Sequence, residues 1–160
     1  MTRLVVAGLF LMGLSVPAWS DSEITGTAFV VDGDTLVIAE QQIRLFGIDA
    51  PQLNQVCRAD GGFWSCGIVA ASYLRNLVAG STVVCRERGR DDDGRILAVC
   101  TVNKGDLAAA MVRGGMASAY LAQSEKYVEV ETSAKVARLG IWKGKFIPPW
   151  EWREGPVLIE

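Results

Sequence analysis

The sequence predicts an α+β domain that is mainly β: a small antiparallel barrel with appended helices. Two observations carry this. Three short apolar runs of strand type precede the first stretch of helical spacing, and the order that follows is helix, two strands, helix, helix. That order lacks the regular βαβ repeat of a parallel sheet, so strands that pair with their neighbours and close up suit it better.

The first twenty residues stand apart. Arg3, the apolar run 4–16 and Ala18-Trp19-Ser20 ahead of Asp21 read as a secretory signal peptide, residues 1–20, cleaved near Ser20. The run is too short for a membrane anchor, which needs about 20 apolar residues. Residues 21–160 are then one domain, expected in the periplasm or outside the cell with no membrane attachment.

Within that domain, residues 24–31 alternate and then run apolar, residues 36–39 follow the Asp32-Gly33-Asp34 turn, and residues 43–48 return after Glu40-Gln41-Gln42. This is a three-strand meander. A helix starts near Gly67, with Ala70, Ala71, Leu74, Leu77 and Val78 at helical spacing and Gly80 placed to stop it. Residues 83–88 and 96–102 flank Asp91-Asp92-Asp93-Gly94 as a hairpin. Asp106 can cap a short helix through Leu107, Met111 and Val112 that ends at Gly114-Gly115. Ser124 can cap a last helix through Tyr127, Val130, Ala134 and Ala137 to Gly140. The tail from Pro148 to Arg153 reads as irregular, with its indoles packed across the barrel or the last helix.

Composition excludes whole classes of chemistry. The 160 residues contain no histidine, which removes His-metal nucleases, Ser-His hydrolases and most zinc sites. Hydrolysis must rest on carboxylates, arginines, a hard metal or water. The formal net charge of −2 is unlike that of a protein that coats nucleic acid. Arg86, Arg88, Arg90 and Arg95 form a local basic cluster, for which a solvated hairpin face is an equally good account.

Four cysteines, Cys57, Cys66, Cys85 and Cys100, agree with export. Centring the hairpin turn between Asp92 and Asp93 sets Cys85 opposite Cys100 and leaves Cys57 to pair with Cys66. Zinc binding by the four thiolates is the competing reading, and the pairs lack the short spacing it needs.

The chemistry concentrates in Asp32-Gly33-Asp34-Thr35 and Arg44-Leu45-Phe46-Gly47-Ile48-Asp49-Ala50-Pro51-Gln52. Asp32-Gly33 alone is ordinary turn chemistry. Asp34, however, shares strand parity with Leu36 and Ile38, which aims its carboxylate at the barrel mouth. Asp49 ends a strand just before Ala50-Pro51, where the chain leaves the sheet and bares a carbonyl. Two carboxylates, that carbonyl and water would suit Ca²⁺, which takes several hard oxygen ligands in flexible geometry. Arg44 points away from the face of Ile43 and Leu45, and Arg95 opens the strand after the hairpin turn. Their forked guanidinium groups suit phosphate oxygens. The Asp91–Gly94 run is only the hairpin turn, since an EF-hand count places a cysteine at its twelfth position.

Together with Gly94-Arg95, residues 107–114 and Gly140-Ile141-Trp142, the order and spacing of these motifs resemble the staphylococcal-nuclease (thermonuclease-like) family over residues 26–142. The resemblance implies a five-stranded OB-fold barrel with three appended helices and a Ca²⁺-dependent phosphodiesterase acting on DNA or RNA as a monomer. Asp34 and Asp49 would be calcium ligands through their side chains, Ala50 through its carbonyl, and Asp32 would lie in the outer shell. Arg44 and Arg95 would clamp the phosphate. Gln52 stands where the family has its catalytic glutamate, and a neutral amide cannot accept a proton. Asp93 replaces the tyrosine common before Gly-Arg, and the segment 120–124 is shorter than the family's nucleotide-contacting loop. The Cys57 to Cys66 insertion and the Pro-Trp-Glu-Trp-Arg ending resemble a short exported bacterial branch, some of whose members are associated with exopolysaccharide synthesis. Two functional classes follow: a Ca²⁺-dependent nuclease slowed by Gln52, or an OB-fold binding or accessory protein that has lost efficient hydrolysis.

Overall fold

The computed structural model describes residues 22–155, so the expected signal peptide and its cleavage near Ser20 lie outside the described residues. The first extended segment is split into β1 (Glu23–Gly26) and β2 (Phe29–Val30). A hairpin of β3 (Thr35–Ile38) and β4 (Gln41–Leu45) follows. Its turn is Ala39-Glu40, with φ of 47° and 63°, and not the later Glu40-Gln41-Gln42 turn expected from sequence. A two-residue turn with both φ positive matches the twist of its flanking strands, which frees Gln41 and Gln42 to pair.

The expected strand 43–48 breaks at Phe46-Gly47 and resumes as β5 (Ile48–Asp49). Gly47 has φ of 81°, and a Cβ there would lie 2.9 Å from the Tyr127 ring, so a glycine is needed where the chain turns past that ring. Next come the hairpin β6 (Cys57–Ala59) and β7 (Gly62–Trp64), then helix α1 (Cys66–Val78). The strands β8 (Val83–Arg90) and β9 (Ile96–Val102) are followed by β10 (Gly105–Asp106) and helix α2 (Leu107–Arg113). Asp106 caps α2 as expected, its Oδ1 accepting the Ala109 N–H at 3.1 Å.

Strand β11 (Ser118–Ala119) pairs with β5, and helix α3 (Val128–Val136) follows. Ser124 does not cap α3: its hydroxyl accepts the Lys126 N–H within a preceding turn, and the helix starts one turn late. After a 3₁₀ turn at Gly140–Lys143, the tail forms a fourth helix, α4 (Pro149–Glu154), where an irregular segment was expected. Proline in the first turn of a helix removes no needed donor and presets φ.

The main sheet runs β1-β8-β9-β4-β3-β2. Its two ends, β1 and β2, are halves of one segment, so the ladder returns to its start and forms the five-stranded OB barrel with helices at its ends. The β4–β9 pairing is parallel, which the expectation of a fully antiparallel barrel missed. Inside lie Leu36, Ile38, Ile43, Leu45, Val83 and Ala98, with Ala70 and Leu74 of α1 and Leu107 and Met111 of α2 packed against them. Each fully buried Leu or Ile contributes about 1.5–3 kcal/mol of transfer free energy.

Cys85 pairs with Cys100 across β8 and β9, and Cys57 with Cys66, both as expected and leaving no free thiol among the described residues. The register at the cysteines holds although the turn is centred on Asp93. A β-bulge between Glu87 and Gly89 absorbs the odd residue. The second bridge closes a small separate core of Cys57, Cys66 and Ile141, flanked by Trp64, Trp142 and Phe146. Two bridges of this kind suit an oxidising compartment. Among the described residues no helix is long and apolar enough to cross a membrane.

Candidate functional site

The strand ends bring Asp34, Arg44, Asp49 and Ala50 together, all of them buried. Gly33 makes this closeness feasible, because a Cβ there would lie 2.7 Å from the Ala50 side chain and 2.9 Å from that of Ala70. Asp32 Oδ1 accepts the N–H groups of Asp34 and Thr35 at 3.0 and 2.8 Å, and so shapes the turn that delivers Asp34. Asp34 Oδ2 then accepts the Ala50 N–H at 2.9 Å, and Oδ1 accepts the Thr35 hydroxyl at 3.1 Å. One carboxylate thereby ties the start of β3 to the end of β5.

Arg44 lies between the two acids. Its Nη2 donates to Asp49 Oδ1 at 2.6 Å, and its Nε approaches Asp34 Oδ1 at 3.5 Å without making a hydrogen bond. A buried guanidinium N–H left without an acceptor is costly to the fold, and a ligand oxygen could satisfy it. Burial pushes the Asp34 carboxyl up to about 7; Arg44 opposes that rise while Asp32 and Asp49 add to it. For Arg44, burial lowers the pKa, but Asp34, Asp49 and Asp91 outweigh it and the net shift is upward, so the guanidinium stays charged.

Gln52 sits at the rim, half-buried. Its side-chain Nε2 donates to the Ala50 carbonyl at 3.5 Å, the same oxygen expected to face a cation. Its backbone is fixed by Gln55, whose Oε1 accepts the Gln52 N–H at 3.1 Å and whose own N–H donates to the Gln52 carbonyl at 2.7 Å. Gln55 is fully buried and also donates Nε2 to the Ile147 carbonyl at 2.6 Å, linking this loop to the C-terminal segment.

Arg95 is held by the hairpin turn. Its Nε donates to Asp91 Oδ2 at 2.7 Å and its Nη2 to Asp93 Oδ2 at 3.1 Å, and Asp91 Oδ1 also accepts the Arg95 and Asp93 backbone N–H groups. The Asp run is the hairpin turn, as expected, and it also holds this arginine. Arg95 borders an open groove of about 210 Å³ with Gln41, Gln42 and Arg90. Asp91 links the two groups electrostatically, since its charge also reaches Arg44.

Sequence reasoning missed one residue of the site. Arg153, on α4, donates Nη1 to Asp49 Oδ1 and Nη2 to Asp49 Oδ2, both at 2.8 Å. Its pKa is raised by this hydrogen bonding. The tail indoles hold α4 in place: Trp150 packs on Tyr120 with ring centroids 5.8 Å apart, and Trp152 Nε1 donates to Asn54 Oδ1 at 3.2 Å. Trp152 therefore lies against the loop after Gln52, and Trp150 against the segment after β11. Pro148-Pro149 was the one local signal for a helix start, and nothing near Arg153 in sequence points to Asp49.

The donor set suits a hard cation. Asp34, Asp49 and the Ala50 carbonyl offer only oxygen and lie together, which fits Ca²⁺ chemistry. Among the described residues no group of three or more His, Cys, Asp or Glu converges, so water and substrate oxygens would have to complete the shell.

A small OB barrel with a buried acid–arginine cluster at its strand ends defines the class of the molecule. The profile described as Staphylococcal nuclease homologue matches residues 42–144, and the chain belongs to that family. It is 31% identical over 148 residues to the succinoglycan biosynthesis protein ExoI of Rhizobium meliloti, covering 90% of this chain and 78% of the relative. An uncharacterized endonuclease of Haemophilus influenzae is 30% identical over 132 residues, covering 78% of this chain and 69% of the relative. The probable endonuclease LCL3 of Pyricularia oryzae is 28% identical over 125 residues, covering 69% of this chain and 48% of that protein. At the level of the family, the match and the two relatives named as endonucleases support a nuclease-type hydrolase with nucleic acid as substrate.

Proposed function

We propose that the protein is an exported, monomeric, Ca²⁺-dependent nuclease that hydrolyses phosphodiester bonds in DNA or RNA slowly. The observation that carries this reading is the convergence of Asp34, Arg44, Asp49 and Ala50 in one buried cluster within a chain of the nuclease family. Asp34 and Asp49 would hold the calcium through their carboxylates and Ala50 through its carbonyl. The bound ion would draw charge from the phosphate and help to acidify the attacking water. Arg44 presents a buried guanidinium with an unsatisfied Nε, suited to a phosphate oxygen as negative charge builds in the transition state. Arg95 supplies the second fork from the hairpin turn, on release from Asp93. Gln52 orients water through its amide but cannot take up the proton, which must pass to solvent or the leaving oxygen; turnover is correspondingly slow.

Two features favour a second reading, an accessory protein that binds without efficient hydrolysis. Gln52 replaces a base, and its Nε2 already occupies the Ala50 carbonyl. A release assay on single-stranded DNA and on RNA, with Ca²⁺ and with chelator, separates the two. Slow cleavage that the chelator abolishes supports the nuclease. Absence of cleavage in both, with calcium still bound, supports the accessory protein.

A further inference from the structure

Asp49 is fully buried, and both its oxygens are engaged by arginines. Arg44 takes Oδ1 at 2.6 Å, while Arg153 takes Oδ1 and Oδ2 at 2.8 Å each, reaching it from 104 residues away. A forked guanidinium and a divalent cation compete for the same carboxylate lone pairs, and at contact distance in a buried site their charges repel. The two arginines are held differently. Arg44 comes from a central barrel strand and its side chain is 10% exposed, whereas the Arg153 side chain is 36% exposed on a helix of six residues. A helix of that length is not stable alone, so α4 keeps its place through Arg153, the contact of Trp150 with Tyr120 and the bond from Trp152 to Asn54.

We propose that Arg153 is the built-in counter-cation of this site. It occupies Asp49 until a divalent cation displaces it, it sets the cation concentration at which the site fills, and α4 is the element that moves away. This inference rests on the calcium reading given above. The exchange also uncovers the Gln52 loop, because Trp152 bonds to Asn54 two residues beyond it.

Titration calorimetry with CaCl₂ on the parent protein, Arg153→Ala and Arg153→Lys, followed in parallel by tryptophan emission, tests the exchange. Loss of a charge-assisted fork should tighten calcium binding by about tenfold or more in Arg153→Ala, with Arg153→Lys between it and the parent. In the parent, calcium should shift the emission, and the shift should vanish when Trp150 and Trp152 are both replaced by phenylalanine. Equal or weaker calcium affinity in Arg153→Ala, or an emission unchanged on calcium binding, overturns the exchange and leaves the calcium site standing. Failure of both the parent and Arg153→Ala to bind calcium removes the calcium reading and the exchange with it.

Discussion

Two clusters in this molecule pair aspartate with arginine, one around Asp49 at the strand ends and one around Asp91 in the β8–β9 turn. Each acid accepts several hydrogen bonds, and each holds a guanidinium that the proposed chemistry requires. They differ in reach. Asp91 binds partners two and four residues away, whereas Asp49 binds Arg44 and, across the whole fold, Arg153. The local cluster shapes a turn and needs little else of the structure. The long-range cluster exists only when barrel and tail are both in place, so its charges act as structural parts as well as chemical ones.

The largest test of that difference is stability. Asp49→Ala removes the acceptor of three guanidinium hydrogen bonds, leaves Arg44 only Asp34 as an ion-pair partner and Arg153 none among the described residues, and should cost about 3–5 kcal/mol. Asp91→Ala, which removes hydrogen bonds from a turn, should cost about 1–2 kcal/mol. Urea denaturation of both variants measures this, and equal losses would erase the distinction between the clusters. Next in size is catalysis. Arg44→Lys and Arg95→Lys, each keeping the charge but losing the fork, should lower cleavage by about 10²- to 10³-fold. Arg44→Lys should also lower the unfolding midpoint more than Arg95→Lys, because Arg95 lies in the local, more exposed cluster. A rate unaffected by Arg95→Lys would confine the chemistry to the buried cluster.

The smallest expected effect is a gain. Gln52→Glu should raise Ca²⁺-dependent cleavage by about tenfold or more, at or below the 10²- to 10⁴-fold typical of a positioned general base. The exchange is nearly isosteric, so the fold should be preserved. A parent that already cleaves as fast as the variant would show that another group, such as Asp60 or Glu87, supplies the base. Asp60 is highly exposed beside Arg138, and Glu87 accepts the Ser22 hydroxyl, so neither lies in the buried cluster.

Most of the barrel was legible because its signals are local: alternating and then continuous apolar residues over 24–31, the turn at residues 91–94 between two strand runs, helical spacing after Gly67, and Asp106 ahead of α2. The cysteine register was legible for a less direct reason. The turn centre and the bulge at Arg88 each shift the pairing by part of a residue, and the two shifts cancel at Cys85. What escaped depends on distant contacts. The break at Gly47 is dictated by the Tyr127 ring, and the role of the tail by Asp49; neither leaves a period or a spacing to read. In the same way, sequence could place Asp34, Arg44 and Asp49 near one another, but not the arginine that α4 lays over them.

The closure of the barrel through its own first segment has a consequence in time. Glu23 pairs with Arg86, 63 residues further on, so the first strand of the barrel has no partner on that edge until β8 is in place. Until β8 arrives, β1 is a bare sheet edge, open to any other strand that meets it. Such a distant pairing is slow to form. Assembly therefore waits on long searches of this kind, the pairing of Asp49 with Ser118 among them.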